Sequence, residues 1–399
     1  MRLLTRRLLV AASLSFLALT APAVTQAAGQ CTQVAADLRM PLGMAMTPLG
    51  RLLVSETGNS APLSGRISII DNDGNRRTLL DGLPSAINDV GDPSGPAGVF
   101  LRGRTLYVAM GVGDVGILGS DGQGQPLRGT DVPNPAGPSS PIFSSVLAVQ
   151  FSADVEATTE GFALAAGDPQ ALAAGQKVTL SNSSGARATV ERVADFPNYL
   201  PVPLTNLPGN VALSNPFQLV AIGDSLYVTD GGRNLVWRVD LLSGAVEPLV
   251  GFENIPNPLF GIAGGPFMQA VPTGIAAFND QLLVTLFRGA PFATGTSTVE
   301  LVNPVTSADT TFIRGLTTAI GVLPLPDRWG AGLLVLQTAS FGPFFGGPGL
   351  VLRFGAPGGP STVVADCLTA PSAMVLDRRT GTLFVSEVGG RVVSIPIAP

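Results

Sequence analysis

One short phrase recurs six times along this chain: an apolar run, a tight turn, and a second apolar run that carries Val. Gly43 through Met46 turns at 48–50 and returns as Leu52, Leu53 and Val54, ending on Glu56. Gly98 to Phe100 turns at 102–104 and returns as Leu106, Tyr107 and Val108. Leu219 to Ala221 turns at Gly223 and Asp224 and returns as Leu226, Tyr227 and Val228, ending on Asp230. The remaining copies pair 275–278 with 282–284, 321–325 with 333–335, and 374–376 with 383–385. A repeat of this kind constrains a fold strongly, because each copy is a unit that buries its apolar face only against its neighbours.

Each copy reads as a β-hairpin, which is only marginally stable alone. Most copies are followed by further strand-like runs, such as 66–70 then 77–80, or 235–239 then 246–250. Four strands per unit make a propeller blade. The recurring valines stand at 54, 108, 228, 284, 335 and 385, a spacing of about fifty residues with one double gap. Residues 152–190 hold no phrase of this type, so the expectation is an insertion in the second blade, not a seventh blade. The expected fold is all-β: a six-bladed β-propeller forming a single domain over 28–399.

Its ring closure reads from the two ends. After 391–395 the chain stops with the sixth blade one strand short, while 32–38 precede the first hairpin without a blade of their own. Pairing this N-terminal strand into the last blade removes two exposed edges at once. Cys31 then lies near the seam, with Cys367 at the junction of the fifth and sixth blades. A disulfide between them and two separate thiols are both compatible with the sequence.

The N-terminus follows the plan of a secretory signal: Arg2, Arg6 and Arg7, an apolar stretch from Leu8 to Leu19, then small residues up to Ala27. The segment 1–27 is expected to be a signal peptide of the general secretory type, with Arg6 and Arg7 also fitting a twin-arginine signal. A secreted or periplasmic, monomeric protein follows. No other run is long enough to span a bilayer. Removing 1–27 leaves 20 basic residues against 28 acidic ones, with no basic patch, which argues against a nucleic-acid partner.

The chain has no His, so the usual general base, the His-dependent nucleophile triads and the commonest metal ligand are all missing. No catalytic residue and no cofactor is therefore assigned, and a binding or scaffold role is expected. The alternative is a calcium-dependent lactonase or esterase acting in the central tunnel through oxygen ligands, with Glu56, Asn215, Asp230 and Glu387 as metal candidates. Three of these end the second strand of a blade, where an acidic side chain more often caps the following turn.

Five of six blades enter their innermost strand through Pro, at 41, 96, 216, 272 and 371. The following residues are Leu42, Ala97, Phe217, Thr273 and Ser372, with Ile320 equivalent in the fifth blade, and none is a carboxylate. Asp89 and Asp92, in the loop before the second blade, are the nearest acids. Loops after the second strand are long at 57–65, 111–142, 286–297 and 337–348, so one face is elaborated. That face holds Phe287, Phe292, Phe341, Phe344 and Phe345. With Asn215, Phe217 and Thr273 they are the candidate binding residues for a small hydrophobic or aromatic ligand, or for a protein partner.

The sequence resembles the exported six-bladed ScyD/ScyE family, whose blade phrases are shared with NHL-like repeats. The resemblance rests on Ser214-Asn215-Pro216-Phe217, on Asp230-Gly231-Gly232-Arg233-Asn234 followed by Val236-Trp237-Arg238-Val239, and on Val271-Pro272-Thr273-Gly274. It implies the fold and export, but no reaction, and it does not extend to 152–190.

Overall fold

The computed structural model describes residues 30–154 and 160–397, so the signal segment expected at 1–27 lies outside the described residues. Six antiparallel sheets surround a central axis. In the first blade Pro41–Met46, Leu52–Glu56, Gly65–Ile70 and Arg76–Leu83 pair in chain order. The innermost strands of the other blades are Pro96–Arg102, Pro216–Ile222, Pro272–Phe278, Ala319–Leu325 and Pro371–Asp377. Each touches its successor, and the last touches the first, which closes the ring. The second strand of each blade is packed by blades on both sides. Leu52–Glu56 is accordingly buried at every residue, which explains a continuous apolar run in place of alternation.

The sixth blade takes its outer strand from the N-terminus. Thr32–Ala35 pairs antiparallel with Arg391–Pro396, placing Thr32 opposite Ser394. Cys31 and Cys367 form a disulfide with an S–S distance of 2.00 Å, tying this strand to the last strand of blade five, Ser361–Leu368.

The second blade departs from the pattern. Its third strand is Ser145–Phe151 and its fourth is Arg187–Asp195, so the segment between them is shorter than 152–190. The recurring phrase marks only the first two strands of a blade, and an outer strand carries no such signature. Within the segment, Phe162–Ala163 pairs in parallel with the outer strand of blade one, and Val178–Ser181 adds a fifth strand outside Arg187–Asp195.

Side-chain hydroxyls tie the blades together near the axis. Ser55 donates to Ala97 O, Ser144 to Ser214 O, Thr229 to Thr273 O, Thr273 to Ala319 O, Thr338 to Pro371 O and Ser372 to Pro41 O. All six interfaces thus satisfy a buried carbonyl with a short side chain that leaves room for close approach. Gly43 shows how close that approach is, since a Cβ there would stand 2.4 Å from Ala97 O. Connections between blades, and those from second to third strands, all emerge on one face, here called the upper face.

Candidate functional site at the upper mouth of the tunnel

A cavity of about 410 Å³ opens where the six innermost strands begin. Its wall is largely the residues that follow the entry prolines: Leu42, Ala97, Phe217, Ile320 and Ser372. Phe287, from the loop of blade four, and Phe345, from the loop of blade five, complete the apolar lining, while Asn88, Asp92 and Asn215 are polar members. Asn215 is held by its backbone N–H, which donates to Asp230 Oδ1 at 2.8 Å, and by its Oδ1, which accepts the Val112 N–H at 3.1 Å. Among the described residues its Nδ2 makes no protein hydrogen bond, leaving a donor at the cavity wall. One residue deeper, Gln218 Nε2 donates to Leu42 O at 3.0 Å and joins blades three and one.

The phenylalanines expected at this face form one cluster with members outside it. Phe345 stacks on Phe292 with ring centroids 4.3 Å apart, and Phe287 meets both at 5.8 and 6.0 Å. Phe344 adds an edge contact to Phe292 at 6.4 Å. Phe292 and Phe344 therefore stand behind the lining, and Phe341 packs on Gly346 and Gly347 of its own loop. The loops of blades four and five are locked by Phe344 N–H to Pro291 O and Gly342 N–H to Thr294 Oγ1. Phe292, Phe344 and Phe345 adopt φ of 58°, 56° and 63°. Thr273 lies apart from the lining: it is buried, and its hydroxyl serves the junction of blades four and five.

Of the four metal candidates only Asn215 and Asp230 meet, while Glu56 and Glu387 bond the backbone entering their own blades. Glu56 accepts Arg39 N–H at 2.6 Å and a two-point contact from Arg66 at 2.9 and 2.8 Å, with Ser68 bonded as well. Burial pushes the Glu56 carboxyl up, but Arg66, Ser68 and Arg39 outweigh it and hold its pKa below the ordinary value. Asp230 accepts from Ser214, Asn215, Gly232, Arg233 and Trp237. Glu387 accepts Thr369 N–H at 2.7 Å and Arg391 Nε at 2.6 Å. In blade five Gln337 does the same for Thr317 N–H at 2.9 Å. Each of these side chains pins the backbone entering its own innermost strand. Among the described residues no group of three Cys, Asp or Glu is placed to hold a metal ion.

Sequence reasoning missed a carboxyl pair beside the mouth. Asp89 sits in the turn between Ala86–Ile87 and Pro93–Ser94, and Asp131 on the hairpin strand Pro126–Pro133. Burial, and then the Asp89 charge, push Asp131 up to about 7, and burial also raises Asp89, with Asp92 adding to it. The Asp89 and Asp131 carboxyls thus face each other across the two loops. Only the fold brings Asp131 to Asp89, and Asp131 lies in a stretch with no phrase of the repeat.

No protein-family model and no curated protein sequence matches this chain. Solved structures do match. A Thermus thermophilus protein assigned as an oxidoreductase (glucose dehydrogenase) is 14% identical, with a TM-score of 0.50, covering 92% of this chain and 99% of its own. A catalytically inactive virginiamycin B lyase from Staphylococcus aureus with quinupristin is 12% identical, TM-score 0.45, covering 92% and 98%. The PQQ-bound aldose sugar dehydrogenase from Streptomyces coelicolor is 14% identical, TM-score 0.45, covering 93% and 98%. At these identities the likeness concerns the fold alone.

Proposed function

We infer that this chain is an exported binding propeller of the ScyD/ScyE type that holds a small apolar or aromatic molecule in the upper mouth of its tunnel. The observation that carries this is the cavity itself. It is concave, lined by Phe217, Phe287, Phe345 and aliphatic side chains, with a few polar groups that include Asn215 Nδ2, the usual composition of a small-molecule site. Binding is preferred over metal-dependent hydrolysis because Glu56, Asp230 and Glu387 are engaged within their own blades.

Naphthol, a flat neutral aromatic with one oxygen for Asn215, serves as the probe. It should bind saturably and raise Tm, because a ligand selective for the folded state stabilises it. Phe287→Ala with Phe345→Ala should weaken binding by about tenfold or more, because two aromatic walls no longer shield the probe from water. Saturable binding unaffected by these substitutions, or no binding at all, would overturn the assignment.

A further inference from the structure

Large hydrophobic side chains left in water gather on the upper face. Ile262 is 85% exposed, Val90 70%, Phe260 64%, Phe267 62%, Phe344 58% and Phe341 54%. Among the described residues the exceptions are Leu49, Leu242 and Val305 on lower turns and Val363 on an outer strand. Most of the upper-face group belongs to one arc, made by the connections into blades three and four and the long loops within blades four and five. The connection into blade four and the loops of blades four and five touch: Gly264 packs against Pro291, and Phe344 N–H bonds Pro291 O.

The arc is also poor in charge: its loops carry only Glu253, which is exposed, and Arg288, which is buried. The stretches 196–223, 254–279 and 329–352 contain no Asp, Glu, Lys or Arg, and each carries one of its loops. The lower turns, by contrast, hold Arg102, Asp224, Asp240, Asp280, Asp309 and Arg378. Clusters of exposed apolar side chains mark interaction surfaces. A protein partner calls for hydrogen-bonding groups and a polar rim around the apolar centre. A bilayer interior offers neither partner charges nor hydrogen bonds, and penalises any charge carried into it. Separate apolar tips on an arc so poor in charge fit that medium.

We propose that the upper face of blades three to five seats on a lipid bilayer, with the tips around Phe260, Ile262, Phe267, Phe341 and Phe344 entering the headgroup boundary. Because the arc has no Lys and its one Arg, Arg288, is buried, the contact is hydrophobic and does not depend on anionic lipid. The tunnel mouth then opens beside the membrane, where a poorly water-soluble molecule concentrates.

Flotation of the full chain with phosphatidylcholine vesicles tests this. Binding should be seen with this zwitterionic lipid alone and should persist from about 0.1 M to about 1 M salt. Phe260→Ser with Ile262→Ser and Phe267→Ser should weaken it at least about tenfold. These residues are exposed, so the melting curve and naphthol binding of the variant should match the parent. Absence of flotation, a requirement for anionic lipid, loss of binding in high salt, or an unaffected triple variant each overturns the proposal. A concentration-dependent dimer that the same variant abolishes would show the arc to be a self-association surface instead.

Discussion

Phenylalanine in the left-handed backbone region costs about 1–2 kcal/mol that glycine avoids. This chain carries that cost at Phe292, Phe344 and Phe345, in loops already rich in glycine. The rings are thus retained for what they contact. Phe344→Gly should leave stability to urea unchanged or raise it by about 1 kcal/mol. A clear loss would mean that the ring holds the loop together. Asp230 is the opposite case, since its carboxylate satisfies five donors. Asp230→Ala should cost about 3 kcal/mol by the same measurement, from buried donors left unpaired. Asp131 adds a pH dependence. Its folded pKa stands at about 7 against an ordinary 3.8. The folded state therefore keeps a proton that the unfolded state releases between these values. The stability linked to this group is complete below the unfolded value and is lost as pH rises through the folded one. Relative to the parent, Asp131→Asn should be neutral near pH 4 and more stable at pH 8. The gain should be on the order of 1 kcal/mol, after discounting for partial exposure. An equal difference in Tm at both pH values would exclude a raised Asp131 pKa.

At the scale of the element, the six hairpins and the closing strand were legible in the sequence, because both are local statements. An apolar run, a turn and a second run leave little choice but a hairpin, and a sixth blade short of one strand needs a partner for its edge. The outer strand Arg187–Asp195 was not legible. It lies half-buried, its pairing with Ser145–Phe151 crosses a long segment, and nothing local marks it. Closure by Thr32–Ala35 also carries a stability argument. The strand is four residues long and is held in place by the disulfide to Cys367. Cys367→Ser should destabilise the propeller by about 2–4 kcal/mol, the range for a link closing a long loop. Denaturation of parent and variant under oxidising conditions measures this, and equal midpoints would assign closure to the strand pairing alone.

For the whole molecule, the ring of hydroxyl bonds and the carboxylates at the strand entries satisfy buried backbone groups from within the protein. Calcium and EDTA should accordingly leave Tm within about 1 °C of each other, since only a ligand of the folded state shifts it. A rise with calcium would return Glu56, Asp230 and Glu387 to consideration as ligands. The sequence by itself determined the repeat, the number of blades, the closing strand and the elaborated face, all of which follow from patterns along the chain. It also placed Leu42, Ala97, Phe217, Ile320 and Ser372 at the entries to the tunnel, because they occupy one register position of the repeat. Only the tertiary structure decided that Phe287 and Phe345 meet Asn215 and Phe217 around one cavity, that Thr273 turns into a blade junction, and that Asp89 finds Asp131. Those contacts join loops from different blades, and their geometry is set by how the blades pack around the ring, which no spacing along the chain encodes.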